Sequence, residues 1–188
     1  MLTYIDNLSA TRRALLIGAI LLLGLSSLGY SALRIHRDGV PVVLETAPVD
    51  PRSMFQGDYV RLRYGISTLS GRLVEGEHRP LANATVYVEL QPGQPVWTPV
   101  RASFSPLSPM PGHVVIRGMT EYASEDDLRV RYGIETFLVP EGDGRVIEQM
   151  GWSNRSRVTV RVLVAPDGSA LPQNILVDGK PVFRDSGM

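Results

Sequence analysis

Gly57-Asp58-Tyr59-Val60-Arg61-Leu62-Arg63-Tyr64 opens a stretch whose second half returns later as Arg129-Val130-Arg131-Tyr132. Aligning Arg61–Thr68 (RLRYGIST) with Arg129–Thr136 (RVRYGIET) gives six identities over eight positions, 68 residues apart. Both copies alternate. In an extended strand Val60, Leu62 and Tyr64 point to one face and Arg61 and Arg63 to the other, and the second copy sets Val130 and Tyr132 against Arg129 and Arg131. The echo predicts two related strand-turn units and hence an internal duplication.

The same period of two runs through most of the chain beyond residue 37. Strands are predicted at 42–46, 58–64, 84–90, 96–104, 113–118, 128–134, 136–139, 157–164 and 175–177. Between them lie turn clusters rich in Gly, Pro, Asn and Asp, among them Asp167-Gly168 and Asp178-Gly179, each expected to form a hairpin turn with its glycine at positive φ. The expected fold is all-β, an antiparallel sandwich or small barrel. One short turn of helix is expected within 120–127 (TEYASEDD).

The N-terminal segment is of another kind. Ala14–Leu33 is twenty residues without a charge, and a helix of that length spans roughly 30 Å, the hydrocarbon thickness of a bilayer. A cleaved signal peptide has a shorter apolar region, of about 7–15 residues, and a small-residue cleavage site, which is missing here. The organisation read from the sequence is a short cytoplasmic tail (1–13), a transmembrane helix (14–33), a juxtamembrane linker with the first strand (34–47) and an exported β domain (48–188). Arg12 and Arg13 on one side of the helix are matched by Arg34 and Arg37 on the other, so charge bias does not set the orientation. Gly24, Ser27 and Ser31, with the pair Ala14 and Gly18, form small-residue stripes suited to helix packing, either with a second copy or with a polytopic partner. Tyr30 suits an interfacial position.

Fifteen Lys and Arg against eighteen Asp and Glu after residue 37 make the exported part slightly acidic, which argues against nucleic acid as a partner. Cysteine is absent and lysine occurs once, at Lys180. No cofactor is expected. Three scattered His, without Cys, do not form a zinc set, and neither a P-loop nor a dinucleotide fingerprint is present.

The motif Gly57-Asp58-Tyr59-x-x-Leu62-x-Tyr64, within the block Pro48–Tyr64, resembles the signature of the GDYXXLXY family of bacterial membrane-anchored proteins at all five specified positions. Tyr132–Glu148 and Arg157–Val182 resemble further segments of that family. The resemblance implies an envelope protein of the inner membrane with one span and an exported, periplasmic domain. It implies no established activity and carries over no catalytic residue.

Ser53-Met54 ahead of Gly57-Asp58 is similar to the serine region of type I signal peptidases, but the proline that follows Ser-Met there is absent, and Lys180 stands far away in the expected hairpin turn VDGKPV. No nucleophile elbow and no Ser-His-Asp set is present. The reading is therefore a binding or accessory module for another membrane protein. Its candidate docking surface is Asp50, Arg52, Asp58, Tyr59, Arg61, Arg63, Tyr64, Arg129 and Arg131. On this reading the four repeat arginines share one face and receive carboxylate, phosphate or an acidic loop. The alternative for those arginines is a solvated face paired with Glu125, Asp126, Asp127 and Glu135. The alternatives for the protein are an envelope hydrolase using Ser53 or Asp58 and a sensor of a small anionic ligand.

Overall fold

The structure, a computed structural model, describes residues 10–47, 59–76, 82–124, 126–138 and 157–184. One helix, α1 (Ala10–Asp38), is followed after the single residue Gly39 by strand β1 (Val40–Ala47). The remaining strands are β2 (Tyr59–Arg61), β3 (Arg63–Tyr64), β4 (Thr68–Ser70), β5 (Thr85–Gln91), β6 (Thr98–Ser103), β7 (Val114–Ala123), β8 (Asp127–Arg131), β9 (Thr136–Leu138), β10 (Val158–Val164), β11 (Ala170–Val177) and β12 (Lys180–Arg184). They form two five-stranded antiparallel sheets, in the orders β12-β11-β10-β1-β3 and β4-β8-β7-β5-β6, and a two-stranded ribbon β2-β9. Both sheets turn their apolar faces onto one core, in which Val42, Leu44, Val86, Val88, Leu90, Ile116 and Val160 are fully buried. Each such side chain contributes roughly 1.5–3 kcal/mol by leaving water.

The duplication is larger than the eight-residue echo. Val42↔Val162 and Leu44↔Val160 pair across β1 and β10, and Val114↔Leu90 and Ile116↔Val88 pair across β7 and β5. Val42 and Val114, Leu44 and Ile116, Val88 and Val160, and Leu90 and Val162 are thus equivalent positions, 72 residues apart, and all are buried. The first half, β1–β6, matches β7–β11 in order, with β2 and β3 together corresponding to β8, and β12 has no counterpart among the described residues. The halves exchange strands. The first sheet takes β1 and β3 from the first half and β10, β11 and β12 from the second; the other sheet takes β4, β5 and β6 from the first half and β7 and β8 from the second.

The chain changes sheets at the two Arg-Tyr-Gly-Ile corners. In the first, Gly65–Ser67 is a 3₁₀ turn carrying the chain from β3 to β4; in the second, Gly133, at φ +80°, lies between β8 and β9. The ladders flanking these corners are related by the same two-fold. Arg61 pairs with Thr136 across β2 and β9, and Arg129 pairs with Thr68 across β4 and β8. The corners are then tied reciprocally: the Tyr64 hydroxyl donates to the Ile134 carbonyl at 2.7 Å and the Tyr132 hydroxyl to the Ile66 carbonyl at 2.8 Å. Burial, with a smaller contribution from the Glu135 charge, raises both phenols well above the ordinary tyrosine value, so both remain donors.

Several expectations need correction. Within the predicted run 58–64, Tyr59–Arg61 and Arg63–Tyr64 are two strands in different sheets, broken at Leu62, whose N–H donates to the Glu135 carbonyl at 2.7 Å. The segment 120–127 is not a turn of helix: β7 continues to Ala123, and the Ser124 N–H and hydroxyl both donate to the Asp127 carbonyl in a turn into β8. Apolar alternation was too short to reveal β4 and β12. The two hairpin turns form as expected, with Gly168 at φ +82° and Gly179 at φ +80°. Gly168 also admits a close approach, since a Cβ there would lie 2.9 Å from the Cβ of Arg117, whose N–H donates to the Gly168 carbonyl.

Replacing Tyr64 or Tyr132 by Phe strands a buried carbonyl while keeping the ring, and each change is expected to cost about 1–2 kcal/mol. Urea unfolding of the single and double variants measures this, and a loss near zero in both singles would mean that the reciprocal bonds do not hold the corners.

Candidate functional site

The alternation that buries Leu62, Tyr64, Val130 and Tyr132 leaves Arg61, Arg63, Arg129 and Arg131 exposed. Because the ladders run side by side at the corners, all four guanidinium-bearing residues line one cavity of about 680 Å³, together with Thr68, Thr136, Glu121 and Glu135 among others. The cavity lies where the two halves cross, and its lining comes in equivalent pairs: Arg61 with Arg129, Arg63 with Arg131, and Thr68 with Thr136.

Its charge is poorly compensated. Arg131 approaches Glu121 at 3.9 Å, both of them exposed, a contact worth little in water. Among the described residues Arg61, Arg63 and Arg129 have no ion pair, and neither Asp126 nor Asp127 reaches them. The Glu135 carboxylate is turned to the backbone instead, accepting from the Tyr132 N–H at 2.5 Å, as the Ser67 hydroxyl accepts from the Tyr64 N–H at 3.3 Å at the equivalent place. A face that only coated the protein with charge would distribute carboxylates among the arginines. Here donors outnumber acceptors, and guanidinium forks are donors whose geometry matches phosphate and carboxylate oxygens.

Of the candidate docking residues, the structure brings together Arg61, Arg63, Arg129 and Arg131. Tyr64 is removed from the surface, because its ring fills the core at 1% exposure and its hydroxyl is spent on Ile134. Tyr59 belongs to β2, but its side chain lies outside the described residues, as do Asp50, Arg52, Ser53 and Asp58. Thr68 and Thr136, which also line the cavity, were not singled out from the sequence. Their signal was available in the echo, where both copies end in Thr.

A second polar cluster escaped the sequence reading. Glu89, on the outer face of β5, has a fully buried side chain beneath the segment 104–113. It binds the Nε of Arg101 on β6, accepts from the Met110 N–H at 2.7 Å and lies 2.9 Å from Nδ1 of His113. Arg101 also donates to the Ser108 carbonyl at 2.9 Å, so the cluster pins the proline-rich segment to the sheet. Burial acts to raise the pKa of Glu89, yet the Met110 amide, Arg101 and His113 together hold its carboxyl below the usual range. This is a structural clasp, remote in sequence and fold from the arginine cavity. Among the described residues no group of three or more His, Asp or Glu is placed to hold a metal.

A duplicated, strand-exchanged β domain with an arginine-lined cavity at its crossing is the class defined so far. The profile of one protein family, described as GDYXXLXY protein, matches residues 21–175, and the chain belongs to that family. No curated protein and no solved structure matches it.

Two outcomes follow from these geometries. Replacing Arg129 by Ala removes a like charge from an uncompensated cluster, so stability in urea is expected to stay within about 0.5 kcal/mol of the parent or to rise; a loss above about 1 kcal/mol would make the arginine a structural residue. Glu89→Gln is expected to cost about 3 kcal/mol at pH 7. Since the folded-state value is depressed, the contribution of Glu89 is present above the ordinary carboxylate range and is lost as the pH falls through the lowered value. The gap between parent and variant should therefore narrow below about pH 4, as read from unfolding curves at pH 7 and pH 3.

Proposed function

We propose that the protein is a single-pass membrane protein of the bacterial envelope whose exported β domain is an anion-binding module serving another membrane protein. The observation that carries the binding part is the cavity at the crossing, where four arginines converge and three of them have no carboxylate partner among the described residues. A fold stabilised by its core gains nothing from such a cluster, and like charges held together cost stability unless a ligand answers them.

The membrane part is supported by the sequence and by α1. Ala14–Leu33 contains no charge, and along α1 the side chains of Leu15, Leu16, Ile17, Ile20, Leu21, Leu22, Leu23 and Leu25 are 49–71% exposed, all round the helix. A helix apolar on every side belongs in hydrocarbon or among other helices. Among the described residues no helix is long and apolar enough to cross a membrane. The periplasmic placement of the β domain rests on the resemblance to the family. The sensor reading is favoured by one feature, the concavity of the arginine site, which fits a small anion as well as an acidic loop. A hydrolase using Ser53 or Asp58 gains no support from the described residues, and Lys180 stands exposed at the start of β12.

The chain has no cysteine, so single cysteines can be introduced freely. Lys180→Cys, at the exposed start of β12, is expected to react with a membrane-impermeant maleimide in intact spheroplasts, with the protein retained in the membrane pellet after alkaline washing. Protection from the reagent, or release into the wash, would overturn the topology. For the accessory role, detergent extraction of the full-length protein should recover a stoichiometric membrane partner with the parent and not with the variant in which Arg61, Arg63, Arg129 and Arg131 are all alanine. Purification of the parent alone would count against it.

A further inference from the structure

The pairing registers divide the cavity into two equal parts. Arg61 stands directly opposite Thr136, and Arg129 directly opposite Thr68, so each guanidinium has beside it a hydroxyl contributed by the other copy. Residues directly opposite in an antiparallel ladder share a face, and all four line the same cavity. The site therefore repeats one donor set, an arginine fork plus a threonine hydroxyl, on either side of the two-fold. Arg63 and Arg131 add one further positive charge to each side.

A ligand with a single anionic group would satisfy one donor set and leave the other exposed. With two linked groups, both sets are used, and after the first group docks the second binds at high effective concentration. Phosphoryl groups suit these donors better than carboxylates do. Each phosphoryl presents several terminal oxygens, enough to give two to the parallel N–H bonds of the guanidinium and a separate one to the threonine hydroxyl, whereas a carboxylate has only two oxygens, both engaged by the guanidinium fork, and the threonine must share one of them. Four arginines against Glu121 and Glu135 leave a surplus of two positive charges, which a multiply charged anion balances. From this we infer that the cavity binds a ligand with two or more linked phosphoryl groups, one seated at Arg61 and Thr136 and one at Arg129 and Thr68. The inference rests on the reading of the cavity as an anion site and adds to it the valency and symmetry of the ligand.

The test is isothermal titration of the full-length protein in detergent, at fixed low ionic strength, with orthophosphate, inorganic diphosphate and tripolyphosphate. At least one linked phosphate is expected to bind roughly tenfold or more tightly than orthophosphate. Arg61→Ala and Arg129→Ala should each bring that affinity down to the orthophosphate level, and each should lower orthophosphate affinity by only about twofold, since the opposite donor set remains. Arg61→Lys and Arg129→Lys, together with melting curves, separate loss of the fork from loss of the fold. Equal affinity for linked and single phosphates would overturn the inference while leaving an anion site in place. Loss of binding in one arginine variant with no change in the other would overturn the two-fold arrangement. Absence of binding by any phosphate would defeat both the inference and the anion-site reading on which it rests.

Discussion

The reciprocal bonds between Tyr64 and Ile134 and between Tyr132 and Ile66 hold the place on which everything else turns. At that place the first half passes from one five-stranded sheet to the other, and the second half passes from its sheet to the β2-β9 ribbon. A buried backbone carbonyl without a partner is costly, and each corner presents one that only the other half can satisfy. Neither half closes alone, because each sheet needs strands from both. The price of this arrangement is kinetic: β1 meets β10 more than a hundred residues away, and such pairings form slowly because long loops must close first.

The corners also explain why a charged cavity and a dense core sit back to back. One alternation serves both. Leu62 and Val130 face inward beside their tyrosines, and the same strands necessarily send Arg61, Arg63, Arg129 and Arg131 outward, into the hollow that the crossing leaves. Because the inward face is locked by packing and hydrogen bonds, the outward face is positioned by rigid backbone rather than by loops, a favourable basis for recognising a charged group without first ordering the site. The Glu89 clasp does for the far edge of one sheet what the tyrosines do for the corners: it uses charge to fix structure.

Much of this was legible in the chain itself. Alternation located β1, β5, β6 and β10 closely, the Asp-Gly pairs marked two hairpins, and the Arg-x-Arg-Tyr-Gly-Ile echo marked the duplication. What escaped was non-local. The sequence does not say that 58–64 divides between two sheets, because the break at Leu62 is imposed by pairing with residues around 136 and not by any local breaker. For the same reason Tyr64 reads as a surface aromatic until its carbonyl partner seventy residues away is known. Glu89 was hidden by the opposite effect, since a glutamate in mid-strand looks solvated unless the covering segment 104–113 is in view. The 72-residue equivalence of the core strands has little identity behind it, because Leu, Ile and Val substitute for one another wherever only volume is required.

The strand exchange has a consequence for how such a site can change. A single copy of the unit, closed by a second chain, would build the same two sheets as a homodimer, with every residue of the crossing present twice by symmetry. In that form any substitution falls on both sides of the cavity at once. Joined in tandem, the two sides vary independently, and one position has already done so: Ser67 and Glu135 perform the same backbone task three residues after their tyrosines, yet only one of them brings a negative charge to the rim. Fusion thus releases the two sides of the crossing from the obligation to carry the same residues.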